Sequence, residues 1–140
     1  MPRELPQEFT YVSDEHLLIW RPSGTLDEAT VDRAVRCIGD LERASEQPFH
    51  RYTDATALDA VELNFRYVFH VALHRRAAYA GKPKVKSAFV VNRADVAHYV
   101  RLHEVFTQRS GLNVRIFEEA DEAAKYLGVE LALLSPPAKR

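Results

Sequence analysis

Cysteine and long apolar runs are both scarce in this sequence. Cys37 is the only cysteine among 140 residues, which excludes an internal disulfide and any multi-cysteine zinc or iron–sulfur site. Nineteen Lys and Arg face 20 Asp and Glu, for a net charge of -1, so the cationic excess of a general nucleic-acid binder is absent. No apolar run approaches the roughly 20 residues of a membrane span, and the start, MPRELPQEF, lacks the pattern of a signal peptide. We therefore expect a cytoplasmic protein that neither binds nucleic acid nor spans a membrane.

What remains, 46% hydrophobic and 28% charged residues, is the composition of one ordinary globular domain. The first part predicts a β-hairpin, because the β-favouring runs 9–13 and 17–20 flank a polar loop at 14–16. Thr25 and Glu28 then stand three residues apart as a capping box. This pattern predicts a first helix that ends before segment 45–48.

The rest of the chain alternates between strands and helices. Asp59 and Glu62 repeat the capping arrangement before a long second helix, and Asn92 stands at the expected start of a third. Strands separated by helices need crossover connections, so the later strands should be parallel. We predict an α/β fold: a mixed, mostly parallel sheet of about five strands that opens with a β-hairpin, with about four helices. The predicted segments are strands 49–54, 84–91 and 113–117 and helices 61–80, 92–109 and 120–127.

Three segments carry the hydrophobic and capping pattern of a known fold: HLLIWRPSGTLDEATVDRA, KVKSAFVVN and VRIFEEADEAAKYLG. With the order of elements, they resemble the STAS domain of bacterial anti-sigma-factor antagonists, and more closely the STAS-like bacterial proteins without a defined activity. The resemblance covers about residues 9–128. We expect these residues to form the domain, with an N-terminal extension over 1–8 and a frayed C-terminal tail over 129–140.

The resemblance implies a non-enzymatic regulatory domain, but the serine that accepts phosphate in such domains is missing here. Antagonists of this family accept phosphate on a serine in a D-S-[ST]-G motif at the start of the second long helix. The comparable segment here is LDAVE at 58–62, in which Asp59 matches the aspartate while Ala60 and Val61 stand where hydroxyls belong. We therefore expect no phosphorylation switch at this place.

Six histidines invite a search for a metal site. His70 and His74 have the i, i+4 spacing that places two imidazoles on one helix face. The glutamate of the HExxH metalloprotease motif is absent between them, and no spacing places a third ligand among His50, His98 or Glu62. We expect neither a bound metal nor a cofactor.

The helical phase divides the second helix into two faces. Leu63, Arg66, Tyr67, His70 and His74 share a mixed apolar and cationic face of the kind that binds a partner or a small anion. The opposite face should lie on the sheet, and it contains Phe65, Val68, Phe69, Ala72, Arg76 and Tyr79. On this basis Arg66, Tyr67, His70 and His74 are candidate binding residues.

Two carboxylates complete the candidate set. Asp54 ends a predicted strand, where side chains often face a ligand crevice, and with Asp59 it could form a carboxylate pair. Both residue types also occur as ordinary turn and capping groups. The sequence contains no GxSxG motif or phosphate-binding loop, and His103 belongs to the apolar side of its predicted helix.

Three classes of function follow from these residues. The first is a non-enzymatic STAS-like domain that binds a protein or a small ligand and forms a weak homodimer through the exposed face of the second helix. The second is a carrier of a lipid or small apolar ligand, since STAS-like chains are also compared with CRAL-TRIO domains; it requires an enclosed pocket of about 300 Å³ or more, expected near Phe65, Phe69 or Phe106. The third, a small enzyme, would use Asp54 with His50 or His74, and we do not expect it.

Overall fold

A computed structural model describes residues 5–135 of the chain. Most of these residues belong to short strands and to helices that alternate along the sequence. The elements are β1 (Phe9–Val12), β2 (Leu17–Trp20), β3 (Gly24–Asp27), α1 (Glu28–Ala44), β4 (His50–Asp54), β5 (Leu58–Glu62), α2 (Phe65–Tyr79), β6 (Val85–Val90), α3 (Ala94–Phe106), β7 (Leu112–Phe117), α4 (Ala120–Leu127) and α5 (Leu131–Leu134).

The main sheet has five strands in the order β1-β2-β4-β6-β7. β1 and β2 form an antiparallel hairpin, and each later strand is parallel to its neighbour. A 3-10 turn at Ser13–Glu15 joins the hairpin, with His16 in the left-handed region at φ 48°. The predicted α/β class, the opening hairpin and the mixed, mostly parallel sheet are confirmed.

A second, two-stranded parallel sheet pairs β3 with β5, and the sequence predicted neither strand. Thr25 lies in β3, and the N-cap of α1 is Asp27, whose carboxylate accepts from the Thr30 amide at 2.9 Å. Asp59 and Glu62 lie in β5, and Asn64 caps α2. Both capping-box predictions were therefore wrong, because pairing between two distant segments extended the residues that looked like helix starts.

The two faces of the main sheet carry different helices. Alternation along β2, β4 and β6 turns Leu17, Tyr52 and Ala88 toward α4 and α5. The opposite face lies under α1, α2 and α3. Side chains in register across that face form the rows Leu18–Arg51–Ser87–Val114 and Trp20–Thr53–Phe89–Ile116.

Part of the predicted tail is folded. Leu134 of α5 is 2% exposed and packs against Leu127 and the sheet. Its carbonyl accepts a hydrogen bond from Arg21 Nη2 at 2.7 Å. The expected fraying is thus wrong for 131–134, while residues 136–140 and 1–4 lie outside the described residues.

Candidate functional site

A cavity of about 130 Å³ lies between the sheet and helices α1, α2 and α3. β2, β4 and β6 form its floor, and the three helices form its walls. Most of the lining is aliphatic or aromatic, including Val31, Val35, Ile38, Val68, Val71 and Phe89. An apolar cavity of about 150 Å³ is large enough for benzene, so this one has the size of a single small ring.

Two arginines stand at one side of this cavity. Arg51 comes from β4 and Arg75 from α2, and they are only 4% and 7% exposed. Arg51 Nη2 pairs with the Glu42 carboxylate and donates to Tyr79 Oη at 3.0 Å, while Arg75 Nη2 donates to the same oxygen at 3.4 Å. The Tyr79 hydroxyl in turn donates to Glu42. One phenol and one carboxylate therefore hold both guanidinium groups.

Three nitrogen donors near the cavity have no hydrogen-bond partner within the described part of the chain. They are Nε and Nη1 of Arg51 and Nε1 of Trp20, and all three are buried. Both side chains line the cavity. A buried donor without an acceptor costs roughly 1–3 kcal/mol. This region is therefore rich in donors and poor in acceptors.

The two arginines differ in their ion pairing. Glu42 pairs with Arg51, whereas Arg75 forms no salt bridge within residues 5–135. Burial, reinforced by Arg51, lowers the pKa of Arg75, but a guanidinium stays protonated in proteins. His103 also lines the cavity, and its burial together with Arg75 lowers its pKa to about 3, so it is neutral near pH 7. Within residues 5–135, the positive charge of Arg75 is therefore left without an ion-pair partner.

The face of α2 that lies on the sheet differs from the prediction. Val68, Ala72, Arg75 and Tyr79 are buried, whereas Arg76 is exposed and Phe65 is 55% exposed. The predicted pocket near Phe65, Phe69 and Phe106 is filled by their own rings, with centroids 4.7–6.0 Å apart.

The candidate binding residues of α2 separate into two groups. Arg66, His70 and His74 are exposed, as predicted. Tyr67 is instead bonded to α1: its hydroxyl donates to the Asp32 carboxylate and lies 3.1 Å from the Glu28 carbonyl oxygen. Burial and the Asp32 hydrogen bond raise the pKa of Tyr67 above its usual value. Its ring lines the cavity, so Tyr67 belongs to the interior site and not to the exposed histidine face.

The structure does not join the two candidate carboxylates in one site. Asp54 Oδ1 accepts from the Thr56 amide at 3.0 Å and from its hydroxyl at 2.6 Å, as in an ordinary turn. Asp59 is exposed in β5. His50 lies at the opposite end of β4 from Asp54, about 13 Å away by strand rise. Among residues 5–135, no three His, Cys, Asp or Glu side chains are grouped to hold a metal ion.

Sequence reasoning missed Arg51, and one signal could have identified it. Arg51 alternates with Phe49 and Thr53, so the strand pattern places all three on one face. Phe49 and Thr53 are both buried, and an arginine between two inward residues is expected to face inward as well. Arg75 was harder to identify, because the helical spacing of the apolar residues assigned its neighbour Arg76 to the face that lies on the sheet.

Comparisons with known proteins show the fold. No protein-family model matches the chain, and no curated protein matches it. A solved structure that does match is that of an uncharacterized protein of the DUF3478 family from Shewanella loihica PV-4, which has a SpoIIAA-like fold. The two are 14% identical, with a TM-score of 0.51 over 79% of this chain and 83% of that one. Within the described part of the chain, no helix has the length and apolar character needed to cross a membrane. The match to this solved structure shows that the chain has a SpoIIAA-like, or STAS-like, fold.

Proposed function

We propose that this protein is a non-enzymatic binding domain that holds one small, largely apolar molecule in the cavity between the sheet and helices α1–α3. The observation that supports this function is the cavity itself, which is about 130 Å³ in volume and mostly apolar in its lining. Natural interiors are close-packed and contain few voids larger than a water molecule. This space is partly open to solvent and has room for a small occupant.

The volume limits what the occupant can be. Ordinary small-molecule pockets measure about 300–1,000 Å³, so a cavity of 130 Å³ is too small for a lipid chain. A body of about one aromatic ring, or a short branched chain, matches it. Carriage of a small apolar ligand is thus supported over carriage of a lipid.

The absence of catalysis is part of the proposal. Asp54 is bonded in a turn and lies at the far end of β4 from His50. His103, whose pKa is about 3, is too weak a base for proton transfer near pH 7. Arginines bind and orient anions but do not exchange protons at this pH.

A cavity-filling variant tests the function. Benzyl alcohol is the probe, and its binding is measured by isothermal titration calorimetry. We expect it to bind the wild type and to lose about tenfold or more in affinity in Val71→Phe, because the added ring occupies the cavity. Val105→Phe makes the same change at a 53% exposed position and should bind like the wild type. Equal binding by both variants, or no binding to the wild type, would refute the proposal.

A second candidate function uses the outer surface of α2. Arg66, His70 and His74 are exposed beside Phe65 and Leu73, which are 55% and 41% exposed. This mixed surface supports binding to a protein partner, including a second copy of the chain. Sedimentation velocity should then show dimers that Leu73→Glu dissociates. A monomer at every concentration would reject the homodimer.

A further inference from the structure

We infer that the occupant of the cavity is a compact monocarboxylic acid, whose carboxylate lies on the Arg51 and Arg75 side while its ring or branched body fills the apolar part. This inference rests on the proposed function and specifies the chemical class of the ligand. It follows from two features of the cavity: the charges and the volume.

The three unpaired donors lie beside the cavity but are closed off from it. Nε and Nη1 of Arg51 and Nε1 of Trp20 are buried without a partner. Arg51 and Trp20 lie on adjacent strands, with Leu18 opposite Arg51 and Trp20 opposite Thr53 in the register. The accessible surface of the three nitrogen atoms is close to zero, so a ligand in the cavity does not reach them. Arg75 is the lining residue that offers the ligand a charged group.

The charge count selects a monoanion. Glu42 pairs with Arg51, Arg75 forms no salt bridge in the described part of the chain, and His103 is neutral, so the charge of Arg75 is unpaired there. An unpaired charge in the interior is costly, and a nearby anion with good hydrogen-bond geometry offsets much of that cost. A dianion such as a phosphate ester would reverse the imbalance instead of removing it. A single carboxylate balances the charge and matches the planar guanidinium geometry.

Size and lining select the rest of the ligand. About 130 Å³ of mostly apolar space accommodates one ring or a short branched chain. The aliphatic side chains of Val31, Val35, Val68 and Val71 form an apolar surface for the body of the ligand. Benzoate therefore represents the class: a single ring that carries a single carboxylate.

The test compares an acid with its neutral relative. We expect benzoate to bind the wild type about tenfold or more tightly than benzyl alcohol in calorimetry at matched ionic strength, because charge-assisted hydrogen bonds to buried guanidinium groups are strong. Trp20 is the only tryptophan, so the NMR resonance of its indole N–H provides a second measurement of binding in the cavity. Benzoate should shift this resonance, and the same concentration of chloride should not.

Arg75 and Arg76 form a matched pair of variants, since they are adjacent on α2 and only Arg75 is buried. Arg75→Gln should lower the affinity for benzoate about tenfold or more while leaving benzyl alcohol binding within about twofold. Arg76→Gln should change neither. If Arg75→Gln does not fold, the ratio of benzoate to benzyl alcohol affinity in the wild type still decides the question.

The outcomes separate the two proposals. If benzyl alcohol binds as tightly as benzoate and Val71→Phe abolishes both, the cavity is a binding site but the carboxylate inference is wrong. If Arg75→Gln and Arg76→Gln weaken benzoate equally, binding reflects surface charge, and the inference is again wrong. If neither probe binds, the proposed function fails and the inference fails with it.

Discussion

Arg51 determines the chemistry of the interior at the scale of a single residue. It occupies an inward position of β4, in register with Leu18 and Ser87, and is 4% exposed. A small apolar residue in its place would leave Arg75 as the charged side chain of the described cavity lining. The Arg51 side chain instead stacks on the rings of Phe49 and Tyr79, at 4.9 and 5.0 Å from their centroids. Aromatic contacts of this kind help to hold a buried cation.

His103 gives a prediction about acid stability. Its pKa is about 3 in the folded protein, through burial and the nearby Arg75, against about 6.5 in an unfolded chain. The unfolded state therefore binds more protons between these values, and the free energy of unfolding falls as the pH drops below 6.5. Protonation of this one residue in the unfolded state should lower the free energy of unfolding by up to about 2 kcal/mol between pH 7 and pH 5.

The measurement is urea unfolding at a series of pH values. His103→Gln should lose this part of the pH dependence, while His98→Gln, at an exposed position of the same helix, should follow the wild type. A His103→Gln profile as steep as that of the wild type would contradict the assignment.

The small β3–β5 sheet is the main surprise at the scale of elements. It joins the segment before α1 to the segment before α2, so it fixes where both helices begin. The sequence patterns at Thr25–Glu28 and Asp59–Glu62 satisfy a capping box locally, but local hydrogen bonds compete with a strand pairing that also buries Leu26 and Leu58. Tertiary pairing prevails, and the caps move to Asp27 and Asn64.

The corner between α2 and β7 gives a second prediction. A Cβ added at Gly111 would lie 2.7 Å from the Tyr79 carbonyl oxygen and 2.9 Å from that of Lys82, whereas one at Gly39 meets only the flexible end of Arg43 at 3.5 Å. Gly111→Ala should therefore lower the free energy of unfolding by about 1–3 kcal/mol, because backbone must shift. Gly39→Ala, inside α1, should raise it by roughly 0.5–1 kcal/mol.

Thermal and denaturant unfolding of the two variants check this pair. A neutral Gly111→Ala would mean that the corner opens easily and that the close approach is not a constraint on packing.

The central sheet separates two different interiors at the scale of the whole molecule. One side, under α4 and α5, is filled by Tyr52, Ala88, Leu127 and Leu134. The other side, under α1–α3, retains the cavity and the two arginines. The packed side supports the sheet, and the proposed site lies entirely on the other side.

The domain limits predicted from the sequence, 9–128, can be tested directly. A chain that ends at Gly128 lacks Leu134 and the hydrogen bond between Arg21 and its carbonyl, whereas a chain that ends at Ser135 keeps both. We expect the shorter chain to be less stable by about 2–3 kcal/mol, the contribution of one fully buried leucine. Equal denaturation midpoints for the two chains would support the predicted limit.

The sequence by itself determined the fold class and most of the elements. Hydrophobic period and stop signals located the hairpin, the three later strands of the main sheet and the four long helices, and α4 begins and ends where predicted. These features depend on neighbouring residues, which the sequence displays directly. Of the candidate site residues, it placed Arg66, His70 and His74 on the surface, but it did not foresee that Tyr67 bonds to α1.

The tertiary structure decided the rest, because each remaining feature depends on distant segments. β3 and β5 pair across more than thirty residues. The cavity requires three helices and three strands of the main sheet to leave a space between them, which no local pattern encodes. Arg51 and Arg75 acquire a shared role only when β4 and α2 bring them to the same tyrosine, and the unpaired charge exists only because folding removes both from water.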